Sequence, residues 1–98
     1  MNNIKIMCRN TEPMYTAPVP ELDGSVAYRL VRTADVVDPA LPDVWSIAVI
    51  LATRSGYTES RFAYDVARSL ADAESVAAAL CSHRVLPDAL FESLEAML

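Results

Sequence analysis

This chain of 98 residues predicts an α+β fold: a three-stranded antiparallel sheet followed by two C-terminal helices packed on one of its faces. Three observations carry that expectation. Side chains alternate in character at 26–31 and 61–68, and bulky residues alternate with mostly small ones in the apolar run at 44–52, the period of two that sends successive side chains to opposite faces of a strand. After Asp72 they recur at intervals of three and four, as on one stripe of a helix. Pro87 then divides this helical part into two segments.

Residues 1–23 read as an N-terminal arm and residues 24–98 as a single small domain. The arm holds Pro13, Pro18 and Pro20, which remove backbone donors and oppose regular helix. Ile4, Ile6, Met7, Met14 and Tyr15 give it apolar surface to lay against the domain, and Ile4 with Ile6 suit a short edge strand. Asp23 and Gly24 suggest a turn. In the first strand Val26, Tyr28 and Leu30 take one side, and Ala27, Arg29 and Val31 the other. Pro39 and Pro42 keep both helix and central strand out of the second half of residues 32–43, where Val36, Val37 and Leu41 suggest some padding against the fold.

Residues 44–52 are the longest apolar run and carry the single tryptophan. Trp45, Ile47, Val49 and Leu51 make a bulky face, whereas Val44, Ser46, Ala48, Ile50 and Ala52 make a mostly small one. A turn at 54–58 leads to the third strand, with Phe62, Tyr64 and Val66 opposite Arg61, Ala63, Asp65 and Ala67. A competing reading has Thr58 cap a helix from Glu59; the period of two, with both aromatics on one parity, favours the strand. Asp72 suits an N-cap, Glu74 suits the positive end of the helix dipole, and Ala73, Val76, Ala77, Leu80 and Cys81 form the apolar stripe. Proline at a first helical position opens the second helix at Pro87. Its stripe is Leu90, Phe91, Leu94, Met97 and Leu98, with Asp88, Glu92 and Glu95 on the wet side. The helices would cover Tyr28, Leu30, Trp45, Ile47, Val49, Leu51, Phe62, Tyr64 and Val66.

Trp45-Ser46-Ile47 on a strand, Val66, Leu70 and Asp72 leading into a helix, then Val85-Leu86-Pro87 with Leu90 and Leu94, resemble a small bacterial domain family of unknown function, number six-five-one-four in its series. The likeness runs over about residues 28–98. Its members often place a small polar residue before the proline, where this chain has Leu86. The resemblance implies a compact α+β bacterial protein and brings no catalytic residues with it.

Composition narrows the chemistry. Hydrophobic residues make up 53% of the chain, yet no apolar run approaches the ~18 to 20 residues of a membrane span. The first residues carry some positive charge without the apolar core of ~7 to 15 residues that export requires, so the expected location is cytoplasmic. Cys8 and Cys81 are expected to be reduced. Of the net charge of −5, residues from 72 onward supply −4, five acids (Asp72, Glu74, Asp88, Glu92, Glu95) against Arg84. That field repels phosphate backbones and makes nucleic acid an unlikely ligand. Gly24 and Gly56 are the only glycines and both fall at turns, which leaves no phosphate-cradling loop. His83 is the single histidine, and Cys81 lies about 200° from it around a helix axis, too far to share a metal ion. No cofactor, metal or catalytic group is expected.

What remains is surface. The face opposite the helices would present Arg29, Val31, Ala48, Ile50, Ala63 and Asp65 as a candidate interaction surface, with Tyr57 in the hairpin loop. Asp88, Glu92 and Glu95 form a candidate acidic patch. The expected function is a non-enzymatic module that binds another protein or itself; a sharper form is an inhibitor encoded by a mobile element. The alternative is a small-ligand-binding protein or enzyme with a pocket between the sheet and the 32–43 loop, using Arg29, Asp65 and Tyr57. Nucleic-acid binding through Arg29, Arg32, Arg61 and Arg68 ranks last. A competing reading has the arm cover the open face through Ile4, Ile6, Met14 or Tyr15.

Overall fold

Strand β3, Val44–Thr53, sits inside the sheet and is buried along most of its length. The computed structural model describes residues 14–38 and 40–98. Around β3 lie β1 (Met14–Val19), β2 (Gly24–Thr33) and β4 (Thr58–Ala67), ordered β1-β2-β3-β4 with every neighbour antiparallel. The sheet therefore has four strands, where the sequence predicts three. The additional strand is the last part of the expected arm, and a 3-10 turn at Pro20–Leu22 joins it to β2. A strand containing Pro18 is tolerated because β1 is at the sheet's edge, where a missing donor breaks no ladder bond. The expected edge strand at Ile4 and Ile6, like Cys8, lies outside the described residues.

Asp23 closes the 3-10 turn in the left-handed conformation, φ 51°, a region that Asp and Asn enter more readily than most residues. Gly24 follows it into β2. A Cβ built there would sit 2.3 Å from the carbonyl oxygen of Ala52 on β3, so only glycine lets the strands approach this closely.

Helix α1, Leu70–Ser82, begins three residues earlier than an N-cap at Asp72 would place it. Ser69 is its N-cap: the Ser69 hydroxyl accepts from the Asp72 backbone N–H at 3.1 Å. Ala73, Ala77 and Leu80 are its buried residues, and the alanines let the helix lie close to the sheet. Val85 and a 3-10 turn at Pro87–Ala89 then lead into α2, Leu90–Met97, which buries Leu90 and Leu94. Against these pack Val26, Tyr28, Leu30, Trp45, Ile47, Val49 and Leu51, the expected parity of β2 and β3. Each such large side chain removed from water contributes about 1.5–3 kcal/mol. No helix among the described residues is long and apolar enough to cross a membrane.

In β4 the expected parity is reversed. Ala63, opposite Ile47, faces the core and is 4% exposed, while Phe62 and Tyr64 are on the other face. Pairing through the hairpin puts Ala48 opposite Phe62, and this register decides the parity. An irregularity follows: from Ile47 to Trp45 β3 advances by two residues, while β4 advances by four, from Ala63 to Ala67. Asp65 takes up the excess at φ 57°.

Candidate interaction surface

Antiparallel register places side chains in rows across the open face. One row runs Met14, Arg29, Ala48, Phe62; the next runs Thr16, Ala27, Ile50, Ser60. Met14 is 59% exposed and Phe62 47% exposed, Arg29 is exposed, and Ala27, Ala48 and Ile50 are half-buried. Val31, also half-buried, lies one row beyond, opposite Ser46.

Six of the expected surface residues thus keep an accessible position: Arg29, Val31, Ala48, Ile50, Asp65 and Tyr57. Ala63 does not, because it belongs to the core. Phe62 takes its place on the open face. Ser46 has the expected parity but is fully buried. Tyr57 is exposed in the β3–β4 hairpin, away from the row of Arg29 and Ala48. Asp88, Glu92 and Glu95 are all exposed, at intervals of four and three that fit one side of α2 and the turn before it.

Ser46 is buried at the end of the sheet where residues 34–38 come across. Asp35, 4% exposed, organises this crossing. Its Oδ1 accepts from the backbone N–H groups of Val37 at 3.0 Å and Asp38 at 3.1 Å, and its Oδ2 accepts from Arg68 Nη1 at 3.0 Å. The Asp38 bond first, then Arg68 and the Val37 bond, hold the carboxyl of Asp35 below its ordinary range, although burial acts in the opposite direction. Bonding to Asp35 and the nearby charge of Asp65 raise Arg68 in turn.

Tyr64 reinforces the crossing: its hydroxyl accepts from Val36 N at 2.8 Å and donates to Ala34 O at 3.1 Å. Beneath, Ser46 Oγ accepts from Asp65 N at 3.1 Å and lies 3.0 Å from Thr33 Oγ1. The hydrogen bonds of Ser46 account for a polar group at zero exposure. Thus Asp65 belongs with Arg68, whose Nη2 is 3.5 Å from its carboxylate, and Phe62, not Asp65, shares the row of Arg29.

The loop is held by its polar residues and leaves its apolar ones outside: Val36 is 74% and Val37 89% exposed. The padding role expected for Val36, Val37 and Leu41 is therefore not theirs; all three are exposed. The local signal for this arrangement was Asp35 two and three residues before the amides it receives, the spacing of an Asx turn. Its pairing with Arg68 had no local signal.

Elsewhere, Cys81 Sγ donates to Thr16 O at 3.5 Å and ties α1 to β1. Arg32 lies 5.3 Å from the ring centre of Trp45, its partner in the register. Among the described residues no three or more His, Cys, Asp or Glu side chains are gathered as a metal site would need. No family model matches the chain, and neither the curated proteins nor the solved structures include a match.

Proposed function

We propose that this chain is a non-enzymatic interaction module that docks another protein on the open face of its sheet. The observation that supports this most is the apolar surface spanning the strands, Met14, Ala27, Ala48, Ile50 and Phe62, beside the exposed Val36 and Val37. Exposed apolar area of this kind, interrupted by Arg29 between Met14 and Ala48, is what partner proteins cover. The loop that carries Val36 and Val37 is already ordered by Asp35, Tyr64 and Arg68, so binding costs less conformational entropy there.

The small-ligand alternative would need its pocket where Asp35, Val44 and Ser46 are already buried. The sharper form, an inhibitor that presents Asp88, Glu92 and Glu95 to a basic partner, remains a refinement with its own test. Asp88→Asn, Glu92→Gln and Glu95→Gln together should abolish binding in that case and leave it unchanged if the sheet face is the docking surface. Affinity capture from nuclease-treated extract of the source organism tests the reading itself: it predicts a stoichiometric protein partner that survives nuclease.

A further inference from the structure

We infer that β4 pairs edge to edge with β4 of a second copy of this chain, about a two-fold axis through Ser60. This extends the interaction reading to a second surface and does not depend on the open face.

The direction of the backbone groups follows from the hairpin. In an antiparallel ladder, alternate residues turn both N–H and C=O toward the same neighbour. Thr53 N donates to Tyr57 O across the β3–β4 turn, so the odd-numbered residues of β3 face β4. Their partners Glu59, Arg61 and Ala63 face back. Thr58, Ser60 and Phe62 therefore direct their backbone groups outward. The same alternation carried across to β1 turns Thr16 and Pro18 outward, consistent with the Cys81 thiol reaching Thr16 O.

The two edges of the sheet are not equivalent. On β1, Pro18 has no donor and Cys81 already occupies Thr16 O. On β4, among the described residues, Thr58, Ser60 and Phe62 make no backbone hydrogen bond outside the sheet. Their side chains, like that of Arg61, are exposed, and Glu59 is half-buried. An open edge of this kind is a template for another strand.

Charge selects both occupant and register. A two-fold axis through Ser60 sets Ser60 against itself as a hydrogen-bonded pair, and Thr58 against the second copy's Phe62 likewise. Glu59 then stands opposite the second copy's Arg61, twice, in non-hydrogen-bonded positions where side chains are closest. Neither residue has an ion pair among the described residues. Moving the axis to Glu59 puts glutamate against glutamate, and moving it to Arg61 puts arginine against arginine. An axis between residues turns the two covered faces to opposite sides of the joined sheet. The irregularity at Asp65 ends the pairing, so the contact closes as a dimer. The join also continues the open face across the axis, with Phe62 beside the second copy's Thr58.

Sedimentation velocity of the full chain over a micromolar-to-millimolar series tests this. A concentration-dependent dimer is expected, weak because an edge of this length buries little area. Arg61→Glu and Glu59→Arg should each weaken it by about tenfold or more, and the double exchange should restore it. A wild-type monomer throughout, or single exchanges without effect on the dimer, would overturn the inference. Ile50→Glu should leave this dimer intact even where it abolishes capture of another protein, so either surface can fail alone.

Discussion

The hydroxyl of Tyr28, in the middle of β2, donates to the carbonyl oxygen of Val85, in the link between the two helices, at 2.8 Å. The partners are 57 residues apart, and the bond is buried. It ties the sheet to the point where the chain turns from α1 toward α2, and so holds the helical layer on one face of the sheet.

Removing that hydroxyl should be costly out of proportion to its size. Tyr28→Phe leaves Val85 O buried without its partner, a loss of about 1–3 kcal/mol measured by denaturant unfolding. Burial pushes the Tyr28 hydroxyl up to about 12 from its ordinary 10.0, with Cys81 adding to the rise and Arg84 opposing it. The raised value means that the folded state holds its proton longer than the unfolded state. The contribution of Tyr28 should therefore be complete below pH 10 and be lost between about pH 10 and 12, and Tyr28→Phe should lack that step.

Asp35 gives the opposite dependence. Its folded value lies below the ordinary 3.8, so its contribution is complete above that pH and lost as the pH falls through the depressed value. Acid titration of the folded state should show wild type losing stability where Asp35→Asn, which keeps an acceptor for the Val37 and Asp38 amides, stays flatter. Arg68→Gln should weaken the acid sensitivity and loosen residues 34–38, read as faster amide exchange at Val37 and Asp38.

Ser69, not Asp72, should carry the cap of α1. Ser69→Ala is expected to cost about 0.5–2 kcal/mol, because the Asp72 N–H loses its acceptor. Asp72→Ala should cost less, since only its favourable charge near the dipole is removed.

Gly24→Ala should be destabilising by about 1–3 kcal/mol although it adds a single methyl group, because the methyl meets the backbone of Ala52 and Thr53 and no flexible side chain can yield. Thermal unfolding of the variant beside Gly56→Ala, where an added Cβ meets no atom within 4 Å but φ is 96°, separates collision from backbone strain.

The alternation in β2 and β3 was enough to assign their buried parity, because both faces of these strands differ in bulk along most of their length. In β4 the same reasoning failed. Phe62 and Tyr64 suggested the core side by size, but pairing of Ile47 with Ala63 fixes the parity, and register is a property of two strands together. Strand β1 was hidden by Pro18, whose damage to a ladder disappears at an edge. On the surface, Arg29, Val31, Ala48 and Ile50 were legible as one face; Phe62 was not, because it depended on the misassigned strand. The Asp35–Arg68 pair joins residues 33 apart, and only the fold brings them together.

The central claim is that the open sheet face docks a partner protein, and its most direct test is capture from nuclease-treated extract with three baits in parallel: wild type, Ile50→Glu on the open face, and Phe91→Glu on the exposed side of α2. With all three shown to be folded by circular dichroism, the account predicts one stoichiometric protein retained by wild type and Phe91→Glu and lost from Ile50→Glu. Retention of the same protein by Ile50→Glu, or its loss from Phe91→Glu alone, would contradict it.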